Sequence, residues 1–427
     1  MGRADWKSAL RELAKHRNRG HSFRFAHPAR TPHPMKITAI RATPINLPIE
    51  APYWWSFGWL PGSSRCVVEV ETDEGITGFG EAASWQACAI VERMTPALIG
   101  RDAHDIAGAE LASLPSWRGV TSNVDFASIR AFAAIETALW DIKGKATGRP
   151  LYDLLGGAVR KKIAFADYFG FRQARNGKGG ELTPEAVAEY CVGLKERFGT
   201  TIFEGKLCTR DPEPSIEALR LMRRQLGPDA IIRIDSNMAY SVTEAKRIAS
   251  RIEDLDIRNW EEPCATFEEM AALRRHTTIP FSGHNVDIQK AVALGVPDAI
   301  VTDVNVHGGI GRTVRFIGAC EAMGIDFWCY SANTGIGSAV YLHLSAAFSH
   351  LREPSQSLFR MQPYDVVEEG VFAPVDNLVA VPEGPGLGVT LSKDKLAFCH
   401  RLFLEEGPYS QHHDPEEPGR YKRLPLR

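Results

Sequence analysis

Several protein classes are excluded by what this chain lacks. Among its 427 residues no apolar run approaches the ~18 residues of a membrane span. Charge of either sign is in no excess: Lys+Arg is 50 against Asp+Glu 52, a formal net charge of −2. Without a global basic field, neither nucleic acid nor an anionic membrane is expected as a partner. No two cysteines form CxxC; the eight are scattered at 66, 88, 191, 208, 264, 320, 329 and 399. That is neither a disulfide framework nor a zinc ribbon, and it fits a reducing cytoplasm. No GxGxxG or GxxxxGK[ST] opens a helix, so nucleotide binding has no support. What remains is an ordinary soluble globular composition, 44% apolar and 24% charged, which excludes collagen, a coiled coil and a largely disordered chain. The length suits two or three domains, or one large barrel with an accessory domain.

The first 34 residues differ from the rest. They hold eight Lys/Arg, two acids and four His, with no apolar core of a secretory signal after them. They read as a disordered extension ahead of a start at Met35; a phosphate-touching or targeting arm is the alternative. From Met35 the chain has strand and hairpin grammar, with Val67, Glu69 and Glu71 alternating against Val68 and Val70 before a turn at Gly75. The aromatic stretch Tyr53, Trp54, Trp55, Phe57 and Trp59 reads as a loop, either buried or a lid over a site. Residues 127–155 carry a helical stripe (Ile129, Phe132, Ile135, Leu139, Ile142) that Gly148 and Pro150 bring to an end.

From about 162 the texture changes. Short β-branched runs recur at 163–168, 201–206, 231–235, 257–261, 279–284, 298–303, 325–330 and roughly 356–362, each but the last followed by an amphipathic helical stretch. Eight such units argue for a (β/α)8-type barrel rather than an open sheet. In such barrels the strand ends converge on one mouth. Six successive ends carry Lys206, Asp235, Glu261, His284, Asp303 and Tyr330, spaced by 29, 26, 23, 19 and 27 residues. Asp235, Glu261 and a third polar ligand on a neighbouring strand would form an oxygen-rich cup suited to Mg²⁺. Lys206, one strand earlier, is a candidate general base, because a nearby cation disfavours the ammonium. The bland alternatives are loop carboxylates and an ordinary salt bridge. His343 and His350 sit in an apolar helical stretch and read as packing residues.

At these motifs the chain resembles the enolase superfamily, in the mandelate racemase/muconate lactonizing enzyme branch, and is most similar to the glucarate-dehydratase-like group. The resemblance rests on AIETALWDIKGKATGRPLYDLLGG (134–157), TPEAV (183–187), RIDSNMAYS (233–241), WEEPC (260–264) and TDVNVHGGIGRTVRF (302–316). It implies a modified TIM barrel (159–385) behind an N-terminal α+β capping domain (35–158). The segment 386–427 would then pack back on that domain or be partly disordered. It also implies Asp235 and Glu261 as metal ligands with His284 or Asn285 third, Asn237, Glu204 and Trp55 near substrate, and Lys206 as the base. Substrate specificity would come from loops at 51–62 and 171–182. The implied reaction is removal of the proton α to a carboxylate through a metal-stabilised enediolate, then loss of the β-hydroxyl to give a 2-keto-3-deoxy acid. The partners implied are a small hydroxycarboxylate and further copies of the chain, in the cytoplasm.

Three positions depart from the family pattern. Glu204 stands where relatives carry the first Lys of Lys-x-Lys, so it would repel a diacid or raise the Lys206 pKa. His284 softens the metal site and admits Mn²⁺, Fe²⁺ or Zn²⁺. At FWCYSAN (327–333) Cys329 or Tyr330 stands in place of the His that Asp303 orients in relatives, and His307 is on the wrong strand to replace it. A two-base racemase is therefore not expected. An isomerase or cycloisomerase, or a catalytically silent ligand-binding paralogue, stands beside the dehydratase reading.

Overall fold

The computed structural model describes residues 34–114, 125–330, 333–356, 358–370, 372–409, 420, 421 and 423–426. The basic stretch at the start lies, but for Pro34, outside them. The chain divides into two units, Met1–Pro34 and Met35–Arg427, and every helix and strand described belongs to the second.

Three antiparallel strands open it in the order β1 (Ile37–Trp55), β2 (Gly58–Thr72) and β3 (Thr77–Ala82). The alternation seen in sequence has a reason here: Cys66, Val68 and Val70 face one hydrophobic core, while Val67 faces another. The aromatic stretch read as a loop is instead the tip of the β1–β2 hairpin, with Trp54 paired to Trp59 and Trp55 to Gly58. Closely spaced aromatics suit a pleated, half-buried ribbon as well as they suit a loop, so residue type alone misled. Helices α1 (Ala87–Leu98), α2 (Ile106–Ser113) and α3 (Phe126–Thr147) cover the sheet. α3 begins at the Asp125 cap and ends at Gly148, whose φ of 67° takes the left-handed conformation a helix stop favours. It lies so close to β3 that a Cβ on Gly80 would collide with the Ala134 carbonyl.

After the short α4 (Leu151–Leu154) come the barrel staves β4 (Lys162–Phe169), β5 (Ile202–Lys206), β6 (Ile231–Asp235), β7 (Ile257–Glu261), β8 (Phe281–Gly283), β9 (Ala299–Thr302), β10 (Asp326–Cys329) and β11 (Ser355–Gln356). Neighbours pair in parallel from β4 through β10, and β11 pairs with β4. β10 lies against β11 without ladder bonds among the described residues, which completes the circle. Between staves run α5 (Pro184–Phe198), α6 (Glu213–Leu226), α7 (Val242–Ile252), α8 (Phe267–Arg274), α9 (Ile288–Leu294), α10 (Val304–His307), α11 (Ile310–Met323) and α12 (Gly335–Ala347). Their starts are chemically marked: Thr183 and Ser241 cap α5 and α7, and Thr266 with Glu269 forms a full capping box on α8.

The eighth stave is shorter than the sequence suggests. Only Ser355 and Gln356 are strand, and Phe359–Met361 is a tight helical turn. The consecutive residues Leu358 and Phe359 are both buried, in two different clusters. β12 (Leu378–Ala380) pairs antiparallel to β4. α13 (Lys393–Glu406) packs on β1, where His400 Nδ1 lies 2.7 Å from the Pro44 carbonyl. His343 and His350 are buried and bonded to the carbonyls of Leu387 and Ile325, as packing residues should be. Glu136 ties α3 to the barrel by accepting from the backbone N–H of Ile310 (2.7 Å) and Gly311 (2.9 Å).

Replacing Gly80 with Ala should push α3 off the sheet. The expected loss is about 1–3 kcal/mol, the usual cost of overpacking, read as a lower urea midpoint at unchanged slope.

Candidate active site

Parallel pairing puts the ends of β5, β6 and β7 in register, with Lys206 opposite Asp235 and Asp235 opposite Glu261. Their side chains meet at a cavity of about 410 Å³ whose walls also include His284, Tyr330 and Gln356. Lys206 Nζ bonds Asp235 Oδ2. The same carboxylate accepts from the Asn237 backbone N–H at 2.7 Å and from Asn237 Nδ2 at 2.9 Å. Asn237, Met238 and Glu262 have φ of 41°, 61° and 41°, a left-handed region that non-glycine residues seldom enter. All three follow directly on the strand-end carboxylates, and Met238 N–H to the Glu262 carbonyl (3.0 Å) locks the two turns together.

His284 is brought to the site and Asn285 is not. The His284 ring is fixed by Nδ1 at 2.7 Å from the Val301 carbonyl, and its Nε2 lies 2.9 Å from Glu261 Oε1. Asn285 is exposed, and its carbonyl accepts from Asp287 N–H at 3.0 Å, so the expectation that it might be a metal ligand is corrected. Burial pulls the His284 pKa down, but Glu261, Glu262 and Asp235 together carry it well above the ordinary value. Burial acts in the same sense on Lys206 and is outweighed by Asp235, so the ammonium is held charged here.

Glu204 is likewise not where the sequence placed it. It is 1% exposed and does not line the cavity, with Oε2 2.6 Å from Arg233 Nη2. Burial pushes its pKa up to about 8 against the pull of Arg233. Trp55 does line the cavity, its ring tilted against that of Phe57 with centroids 4.9 Å apart. Asp303 caps α10 through the Asn305 and Val306 N–H groups and takes a hydrogen bond from Tyr330. Tyr330 is thus the partner that replaces an imidazole. The Asp303 charge, then burial, hold its phenol well above the ordinary value, so it stays protonated. His307 stacks on Phe316 at 4.4 Å and is kept neutral by burial, its pKa down to about 4, which fits a packing role.

The remaining site residues were missed in sequence. Gln356 is the end of the eighth stave, and the strand-end rule could have named it. Glu262 is the second acid of WEEPC. Arg65 and Arg130 reach the cavity from β2 and α3, which no local pattern signals. Of the two loops expected to set specificity, the hairpin tip lines the cavity and 171–182 buttresses it. Arg172 forks onto Glu181 (2.7 and 2.9 Å) and reaches Glu50 on β1 (2.8 Å).

The residues fit a divalent cation by charge and donor type. The carboxylates of Asp235 and Glu261 and the ring of His284 line one cavity, a donor set that suits such an ion. Asn237 Oδ1 is buried there with no hydrogen bond. Among the described residues no three His, Cys, Asp or Glu side chains already converge at ligating distance. Lys206 and His284 instead hold Asp235 and Glu261 as ion pairs.

Residues 36–156 match the family model described as mandelate racemase/muconate lactonizing enzyme, N-terminal domain, and 182–395 that described as enolase C-terminal domain-like. A Streptomyces coelicolor protein named "Probable glucarate dehydratase" is 28% identical, over 87% of this chain and 93% of its own. The cis-3-hydroxy-L-proline dehydratase of Roseibium aggregatum is 30% identical, over 83% and 96%. A Pseudomonas fluorescens enolase crystallised with magnesium, potassium and tartrate superposes with a TM-score of 0.79 at 26% identity, over 88% of this chain and 95% of that one.

Arg172→Leu should strand Glu50 and Glu181. The expected cost is about 3 kcal/mol, the low end for breaking a buried pair because both acids keep some solvent. Stronger acrylamide quenching of tryptophan fluorescence would report the freed hairpin tip.

Proposed function

The chain belongs to the enolase superfamily, in its mandelate racemase/muconate lactonizing enzyme branch, and from that premise we propose that it is a metal-dependent dehydratase of a hydroxylated carboxylic acid of the acid-sugar class. The observation that carries this reading is one amine and one protonated phenol on separate staves of the same mouth, Lys206 on β5 and Tyr330 after β10. The family name spans racemisation and lactonisation as well, so the reaction has to be argued from these side chains.

Asp235, Glu261 and His284 would hold the divalent cation, with Asn237 Oδ1 beside them. When bound it would stabilise the charge that develops on the substrate carboxylate as the α-proton leaves. Lys206 takes that proton on Nζ. It can do so only when Asp235 is engaged by another cation, because their ion pair keeps the ammonium charged. The bond from the β-carbon to its hydroxyl then breaks. Tyr330 donates to the departing oxygen, and Asp303 holds the phenol in place. The enol product becomes a 2-keto acid, for a net loss of one water. Racemisation needs a second base on the opposite face. Tyr330 is held protonated, and Glu204 is committed to Arg233, so neither serves. The same pairing with Arg233 removes the repulsion of a diacid that Glu204 would otherwise exert.

Aldonic and aldaric acids incubated with Mg²⁺ should yield 2-keto-3-deoxy acids, detected as semicarbazones, and EDTA should abolish the signal. Lys206→Met should cut turnover by about 10²–10⁴-fold, the share of a general base, with Mg²⁺ affinity retained. Exchange of the α-proton in D₂O without keto acid would replace the dehydratase reading by an isomerase one.

A further inference from the structure

From Gln356 and Glu261 in the cavity wall a polar chain runs back into the barrel to Glu204 and Arg233, two residues that the proposed reaction does not use. The Gln356 amide nitrogen carries two hydrogens. It donates to Glu204 Oε1 and to Glu261 Oε2, which accounts for both. Glu204 turns its other oxygen to Arg233 Nη2 at 2.6 Å. The Arg233 guanidinium is fixed in turn, with Nη1 donating to the Pro354 carbonyl at 2.7 Å and its plane over the Trp328 ring at 5.0 Å. Exposures are 1% for Glu204, 1% for Arg233, 1% for Glu261 and 6% for Gln356.

Such an assembly is a poor route to stability. Desolvating a carboxylate and a guanidinium costs several kcal/mol each, and apolar side chains of equal volume often serve a core as well or better. What it does supply is orientation. A glutamate carboxylate rotates freely about its last bond. With Oε2 tied to Gln356, only Oε1 faces the cavity, where it meets His284 Nε2. The restraint reaches Glu261 from β5, β6 and β11.

We propose that Gln356 is a positioning residue, which with Glu204 and Arg233 forms a buried brace that fixes the carboxylate of Glu261 for a divalent cation. This rests on the metal-dependent reading given above. It assigns a use to Glu204, the acid that stands where relatives carry lysine: one carboxyl oxygen pairs with Arg233 and the other anchors Gln356. The brace acts through Glu261.

The test is Mn²⁺ titration of the full chain by calorimetry, with no substrate present. Gln356→Met keeps the length and removes both donors. It should weaken Mn²⁺ binding by about 10–100-fold, as loss of a partner that orients a ligand does, while thermal melting in EDTA shifts little. Affinity within twofold of the parent would overturn the proposal, and so would a large drop in melting temperature with affinity unchanged, which marks a purely structural role. Arg233→Lys keeps a charge opposite Glu204 and loses the fork; a three- to tenfold loss of affinity is expected, and it decides the matter if Gln356→Met does not fold. Should the parent chain bind no Mn²⁺, the metal reading falls and takes the brace with it, a result distinct from a parent that binds and a variant that binds equally well.

Discussion

Buried negative charge is the constraint on which the rest of this molecule depends. Carboxylates gathered at one end of a barrel cannot stay ionised in a desolvated pocket unless cations face them. The chain answers with a fixed partner for each of three: Arg233 for Glu204, Lys206 for Asp235 and His284 for Glu261. Glu262 is left nearly alone, and burial carries its pKa up to about 7. The pairings differ in permanence. Arg233 is clamped by a backbone carbonyl and a tryptophan face, whereas Lys206 and His284 stand at the cavity surface. A cation arriving in the pocket would compete with these last two and not with the first, which separates a static layer of charge from an exchangeable one.

The N-terminal module closes the pocket with rigid parts. Its contribution is a hairpin of two paired strands, pinned at its base by a buried arginine shared between two glutamates. The wall it offers is aromatic and aliphatic, with Arg65 and Arg130 as the cations behind it. A substrate would therefore meet carboxylates and an amine at one end and a mixed apolar and cationic surface at the other.

Much of this was legible in the sequence, for a physical reason. A parallel barrel repeats one unit, so strand-end residues recur at unit spacing, and the six named from that spacing all lie at the mouth of the barrel in the structure. Local chemistry was equally readable: caps at Thr183, Ser241 and Thr266, and the stop at Gly148. What escaped depends on which way a side chain points. Glu204 and Lys206 are two residues apart on one strand, yet one lies behind the wall and the other in the cavity. His284 and Asn285 are adjacent, and only the ring turns inward. Arg65 and Arg130 come from a module whose docking on the barrel has no local signature. The eighth stave was overrun because a short apolar run suits a buried strand and a buried turn alike, and only Ser355 and Gln356 are strand before the turn at Phe359–Met361.

Among the described residues the circle of staves is continuous in backbone hydrogen bonds except where β10 meets β11. Tyr330 follows one side of that seam and Gln356 ends the other. Tyr330 and Gln356 are thus neighbours around the rim. On the opposite arc Lys206, Asp235 and Glu261 stand side by side on staves joined by ladder hydrogen bonds, so the sheet itself sets the spacing of these three side chains.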